Sequence, residues 1–267
     1  MGSKGLFSSL VLGVFVSAIA GCGASPTAPA PPPAPQPIVD AGPPPPPAPS
    51  PRLNITRILA FGDSMTEGVD SPAVPSLGFS RLLQASPGRA ESYPFKLQTL
   101  VSERYRDQSI EIFNEGIAGR QARNDRERFN QAMSKVHPEL ILLLEGANDL
   151  GGPLDPGEGI NARVTLVVGS LEDMVRDAGF RAIPVMIGTL PPQRPGAPKA
   201  GGVAALPRFN AAVVEMAGKK GAQLVDIGQL PLSLIGADGL HPSEAGYQRM
   251  AEIWFAAIKA RFEQTLQ

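Results

Sequence analysis

Beyond residue 53 the chain alternates short apolar runs with longer segments in which apolar residues recur every three or four positions. The short runs predict strands at Arg57–Phe61, Ser109–Phe113, Leu140–Glu145, Ala182–Ile187 and Gln223–Asp226. The longer segments predict helices over Tyr93–Tyr105, Asn124–Val136, Ala162–Ala178 and Leu206–Lys219. A last helix is expected from Ser243, as N-cap after Pro242, to about Phe262, with Ala245, Tyr247, Met250, Ile253, Trp254 and Ile258 on its apolar face. Ile141 to Leu144 is apolar without a break, as a strand buried on both faces requires. Strand–helix alternation of this kind predicts one three-layer α/β/α domain over residues 53–267, built on a five-stranded parallel sheet.

The first fifth of the chain has a different pattern. Lys4 precedes an apolar stretch from Leu6 to Ala20, too short to span a bilayer comfortably and followed by small residues, the layout of a secretory signal. From Ala24 to Pro51 the chain is mostly Pro and Ala. Proline has a fixed φ and no amide donor, so this stretch predicts an extended spacer of at most roughly 80–90 Å at ~3.1 Å per residue. The expected organisation is a signal over residues 1–21, a linker over 22–52 and the folded domain beyond. The formal net charge is −1 over 267 residues, which gives no reason to expect nucleic acid as a partner.

Chemistry collects where the predicted strands end. Gly62-Asp63-Ser64-Met65-Thr66-Glu67-Gly68 follows the first strand, Gly119 the second and Gly146-Ala147-Asn148-Asp149 the third. Asp238-Gly239-Leu240-His241 lies between the last strand and the last helix. In an open parallel sheet the carboxyl ends of the strands form the ligand-binding rim. Ser64 is the candidate nucleophile and needs a base to take its proton. Of the two histidines, His137 precedes Pro138 at the opposite edge of the sheet, which leaves His241. Asp238, three residues earlier, is placed to hold its tautomer and orientation. The amides of Ser64 and Gly119 and the side chain of Asn148 are candidate oxyanion donors. Asp63 and Asp149 are expected to bond loop amides. No metal-ligand spacing is evident, and no cofactor is implied.

Gly62-Asp63-Ser64, Asn114-Glu115-Gly116-Ile117-Ala118-Gly119, Gly146-Ala147-Asn148-Asp149 and Asp238-Gly239-Leu240-His241-Pro242 together resemble the four ordered blocks of the SGNH, or GDSL, hydrolase family. The resemblance runs from Arg57 to the last helix and is nearest to the compact lysophospholipase-like bacterial esterases. It implies a flavodoxin-like fold and cofactor-free ester hydrolysis through an acyl-enzyme on Ser64. Family members include lysophospholipases, thioesterases, arylesterases and carbohydrate acetylesterases. Short- to medium-chain acyl esters are the expected substrates, small molecules or envelope components. The alternatives are a cell-wall O-acetylesterase or acyltransferase of the same fold and, from a different class, a non-catalytic envelope binding protein.

Ile19-Ala20-Gly21-Cys22 is similar to the lipobox of bacterial lipoproteins, and Cys22 is the single cysteine. The resemblance implies cleavage before Cys22, its lipidation and a membrane-tethered protein of the cell envelope. Gly23 replaces the aspartate that retains such proteins at the inner membrane, which favours the outer membrane of a Gram-negative cell. Two connections are long. The one from Gly68 to Tyr93 carries Val74, Leu77, Phe79, Leu82 and Leu83 as an acyl-pocket lining, a lid or the core of a short helix. The one from Gly188 to Gly202 carries Pro191-Pro192, Arg194 and Lys199 and is expected on the leaving-group side.

Overall fold

A computed structural model describes residues 51–69 and 92–264. The chain divides into Met1–Pro47 and Ala48–Gln267, and every described residue belongs to the second unit. The signal segment, Cys22, nearly all of the proline-rich spacer and the stretch holding Val74 to Leu83 lie outside the described residues.

Five parallel strands form the central sheet: β2 (Arg57–Gly62), β3 (Glu111–Gly116), β4 (Leu140–Leu144), β5 (Val185–Gly188) and β6 (Gln223–Val225), in the order β3-β2-β4-β5-β6. All five residues of β4 are buried, as their unbroken apolar run demands. The chain steps from β2 outward to β3 and returns past β2 to β4, so the strand order reverses between β2 and β4. Such a reversal opens a crevice at the carboxyl ends of the strands. Pairing of Gly62 with both Gly116 and Leu144 brings three strand ends level at this crevice.

Helices cover the sheet. α2 (Tyr93–Arg104) packs against α7 (Glu244–Phe262), and α5 (Ile160–Phe180) packs with α3 (Arg126–Val136) and α6 (Leu206–Lys220). Ser243 caps α7, its hydroxyl accepting from Gly246 N–H at 3.2 Å. Such a cap contributes about 1 kcal/mol. Tyr247, Met250, Trp254 and Ile258 form the buried face of α7, with Phe262 completing it, and Ile253 is half-buried. Ala245, expected on that face, is exposed, because Gly246 takes the inward position beside Leu234. None of the described helices is long and apolar enough to cross a membrane.

The strand and helix pattern is reproduced, with two instructive shifts. β3 begins two residues later than expected and continues through Asn114, Glu115 and Gly116. It is an edge strand, half-buried from Phe113 to Gly116, so polar residues extend it and the apolar pattern stops short. Ala182 is not in a strand: α5 runs on to Phe180, Ala182 turns with φ 56°, and β5 starts after Pro184. A small ribbon joins the chain ends of the unit, β1 (Arg52–Leu53) pairing antiparallel with β7 (Glu263–Gln264). Gln108 fastens β1 through both backbone groups of Leu53, at 2.7 and 2.8 Å. Tyr105 Oη donates to Glu263 at 2.7 Å on the other strand.

Candidate active site

The turn after β2 is built by close approach. A Cβ on Gly62 would stand 2.0 Å from the Leu144 carbonyl oxygen, so no other residue fits. Asp63 then caps the single-turn helix α1 (Ser64–Glu67), its Oδ1 accepting from Met65 N–H at 3.0 Å. Ser64 is thereby fixed at the head of the crevice between β2 and β4, with its amide in the first helical turn, where backbone donors lack intrahelical partners.

His241 reaches the same place from the loop before α7. Gly236 N–H donates to the His241 carbonyl at 2.8 Å and Ser243 N–H to the Leu234 carbonyl at 2.8 Å, closing a tight loop. Asp238 Oδ1 accepts from the amides of Leu240 and His241 at 3.1 and 3.0 Å, and its Oδ2 lies 2.6 Å from His241 Nδ1. His241 Nε2 lies 2.8 Å from Ser64 Oγ. Burial alone would raise the pKa of Asp238, but the bonds from His241 and Leu240 overcome it and hold the carboxyl down at about 2. A carboxylate facing Nδ1 keeps the proton there and leaves Nε2 to accept from the serine hydroxyl. Three residues separated by as many as 177 positions thus form one hydrogen-bonded chain.

The expected oxyanion donors gather beside it. Gly119, at φ +80°, lies on an exposed turn, and its N–H has no partner among the described residues. Asn148 stands in α4 (Ala147–Gly151), the short helix after β4. Its Nδ2 donates to the Arg120 carbonyl at 2.9 Å, and that nitrogen's only other hydrogen bond among the described residues is a long one, 3.5 Å to Asp63 Oδ2. One N–H of this amide is therefore anchored and the other is weakly held, ready for a better acceptor. Asp149 Oδ2 accepts from Ala122 N–H at 2.8 Å, tying the loop after β3 to α4, and its Oδ1 lies 3.7 Å from Arg123 Nε. Both aspartates bond loop amides as expected. Burial, then the nearby Asp149 carboxylate, push Asp63 up to about 7.

Beneath these loops lies a charged layer that the sequence does not advertise. Arg128, on α3, donates to the carbonyls of Gly62 at 2.9 Å and Glu115 at 2.6 Å, so it grips the ends of β2 and β3 together. Its guanidinium lies 3.8 Å over the Phe61 ring and pairs with the fully buried Asp125. Glu145, at the end of β4, is buried with no hydrogen-bond partner for either oxygen among the described residues. Burial, and then the adjacent Asp125, raise its pKa to about 10, so it is a neutral acid at pH 7. The periodicity of α3 gives no hint that Arg128 faces inward, since its partners lie on two other elements. Among the described residues, no cluster of three or more His, Cys, Asp or Glu is arranged to hold a metal ion.

The loop from Gly188 to Gly202 sits against the acid–base loop. Lys199 N–H donates to the Asp238 carbonyl and Arg194 N–H to the Gly239 carbonyl, both at 2.9 Å. The Arg194 guanidinium is occupied by the carbonyls of Leu232 and Ile235. Lys199 Nζ stands 3.3 Å from Asp238 Oδ2. The loop therefore braces the Asp238–His241 segment, whatever it also does for a leaving group.

The fold is shared with solved hydrolases. A lipase/acylhydrolase from Enterococcus faecalis superposes with a TM-score of 0.60 at 19% identity, covering 80% of this chain and 100% of that one. The acetylxylan esterase Axe2 from Geobacillus stearothermophilus gives 0.59 at 19%, covering 76% and 94%. A carbohydrate acetylesterase family member from Sinorhizobium meliloti gives 0.58 at 19%, covering 77% and 98%. No curated protein matches the sequence. The model of the GDSL-like lipase/acylhydrolase family matches residues 60–249, a span that holds the whole cluster around Ser64, and the chain belongs to that family of carboxylic ester hydrolases.

Proposed function

We propose that the protein hydrolyses short- to medium-chain acyl esters through a covalent acyl-enzyme on Ser64. His241 takes the serine proton as Oγ attacks the ester carbonyl, and Asp238 stabilises the resulting imidazolium. Negative charge developing on the carbonyl oxygen is met by the amides of Ser64 and Gly119 and by Asn148 Nδ2. Each such donor is worth about 3–4 kcal/mol of barrier. Collapse of the tetrahedral intermediate expels the alcohol, protonated by His241. Water, deprotonated by the same imidazole, then attacks the acyl carbonyl and releases the acid. The observation that carries this reading is the unbroken chain from Ser64 Oγ to His241, 2.8 Å, and from His241 to Asp238, 2.6 Å.

The lipobox-like Ile19–Cys22 and the proline-rich spacer support a lipid-anchored enzyme of the bacterial envelope, held clear of the membrane. That location, with the two carbohydrate esterases among the structures of like fold, favours acetyl esters of envelope polysaccharides as the narrower reading. Turnover of p-nitrophenyl acetate and octanoate by the parent and Ser64→Ala tests both. Ser64-dependent turnover with acetate strongly preferred is expected. A clear preference for octanoate rejects the acetylesterase reading, and turnover that survives Ser64→Ala rejects the mechanism.

A further inference from the structure

The stretch Ile117–Arg120, which carries Gly119, leaves the sheet after β3 with little packing to hold it. Ile117, Ala118 and Gly119 are exposed, and Gly119 is in the left-handed region. Three side chains from outside the turn tie it down. Glu67, at the end of α1, accepts from Ala118 N–H at 2.6 Å, linking the nucleophile turn to the residue before Gly119. At the other end, Arg120 Nε donates to Asp125 Oδ1 at 2.6 Å. Asp125 is a fixed point, fully buried and held from below by Arg128 Nε at 2.8 Å. The carbonyl of Arg120 itself accepts from Asn148 Nδ2 at 2.9 Å. Among the described residues, only the turn bonds from Arg120 N–H to Ile117 at 3.3 Å and from Ile117 N–H to Gly62 at 3.1 Å add to this hold.

We infer that Glu67 and Arg120 are positioning residues of the oxyanion site: Glu67 fixes the amide run that carries Gly119, and Arg120 fixes the carbonyl that aims the Asn148 side chain. Neither touches the reacting atoms. The inference rests on the assignment of Gly119 and Asn148 as oxyanion donors. Donors of this kind bond more strongly to the transition state than to the bound ester, so a loosened turn lowers kcat and leaves KM nearly unchanged. Glu67 acts as an acceptor, a role glutamine retains. Arg120 acts through an ion pair, which lysine retains in part.

The test uses the full chain with p-nitrophenyl acetate, active sites being counted with a fluorophosphonate so that unfolded protein does not enter kcat. Glu67→Ala and Arg120→Met are expected to lower kcat about 10- to 100-fold, the range for reacting groups displaced by up to an ångström, with KM within about twofold. Glu67→Gln and Arg120→Lys are expected to recover much of the loss. In an Asn148→Ala background, Arg120→Met should cost less than about twofold more, because the group it aims is gone. An unchanged kcat in both single variants overturns the inference, as does an equal cost of Arg120→Met with and without Asn148. An Asn148→Ala kcat equal to that of the parent overturns the underlying donor assignment instead, and parent turnover that persists in Ser64→Ala overturns the mechanism, so the failures are distinguishable.

Discussion

Lys199 Nζ stands 3.3 Å from Asp238 Oδ2, the same carboxylate oxygen that meets His241 Nδ1 at 2.6 Å. A cation at that point offsets part of the negative field that Asp238 exerts on the imidazole. Lys199→Met removes the offset and keeps the backbone bond to the Asp238 carbonyl. His241 then holds its proton more tightly, and the acid limb of kcat/KM moves to higher pH. The Lys199 side chain is 54% exposed. Solvent and salt therefore screen it, and the shift should be about 0.3–0.5 pH units at low ionic strength, shrinking in 1 M salt. Rate profiles between pH 5 and 8 check this. Superimposable acid limbs would remove Lys199 from the electrostatics of the site.

Arg128 is the most consequential charge under the site. Its removal leaves the carboxylate of Asp125 buried with a single cation and frees the carbonyls of Gly62 and Glu115. Breaking one side of a buried pair in this way costs about 3–5 kcal/mol. Urea unfolding of Arg128→Met should show that loss. Arg128→Lys should recover little of it, because a single ammonium cannot bond two carbonyls and a carboxylate in one plane. A loss below about 1 kcal/mol in Arg128→Met would contradict the role assigned to it.

Glu145 gives the protein a pH dependence of stability. Its folded pKa is raised from 4.5 to about 10, with burial as the main cause. The folded state therefore keeps a proton that the unfolded chain releases above its ordinary pKa. Stability from this group is complete below pH 4.5 and declines as pH rises toward 10. Glu145→Gln stays neutral in both states and escapes the decline. Its melting temperature should gain on that of the parent steadily from pH 5 to pH 9. A difference independent of pH would show that Glu145 ionises normally in the folded protein.

Asp238→Asn replaces the carboxylate that faces Nδ1 with an amide while keeping the size of the side chain. The wrong tautomer of His241 is then favoured, and the imidazolium loses its stabilising charge. A fall in kcat of about 10⁴, with little change in KM, is expected. Steady-state kinetics on p-nitrophenyl acetate check it. A loss under tenfold would mean that His241 does not depend on Asp238.

The strands that carry the site were legible because they are buried and their apolar runs are continuous, as in Leu140–Leu144. Ser64, Gly119, Asn148, Asp238 and His241 could be placed on one rim because each follows a strand or precedes α7, and a parallel sheet collects such positions. Arg128, Asp125 and Glu145 could not be found that way. Their significance lies in distances to residues on other elements, and a half-buried arginine on an amphipathic helix reads like any exposed one. The polar end of β3 was missed for a related reason: an edge strand needs no apolar face at Asn114 and Glu115. The sequence places Lys199 only in a loop expected on the leaving-group side; that its backbone amide and ammonium both meet Asp238 is a matter of distance between loops.

The central claim is that Ser64 is the nucleophile and carries the acyl group. Treatment of the full chain with a fluorophosphonate, followed by intact-mass measurement and peptide mapping, tests it most directly. One adduct per chain, on Ser64, with ester hydrolysis lost in step and no adduct in Ser64→Ala or His241→Ala over the same interval, is the predicted result. Labelling at another residue, or hydrolysis that continues after Ser64 is fully modified, would contradict the account.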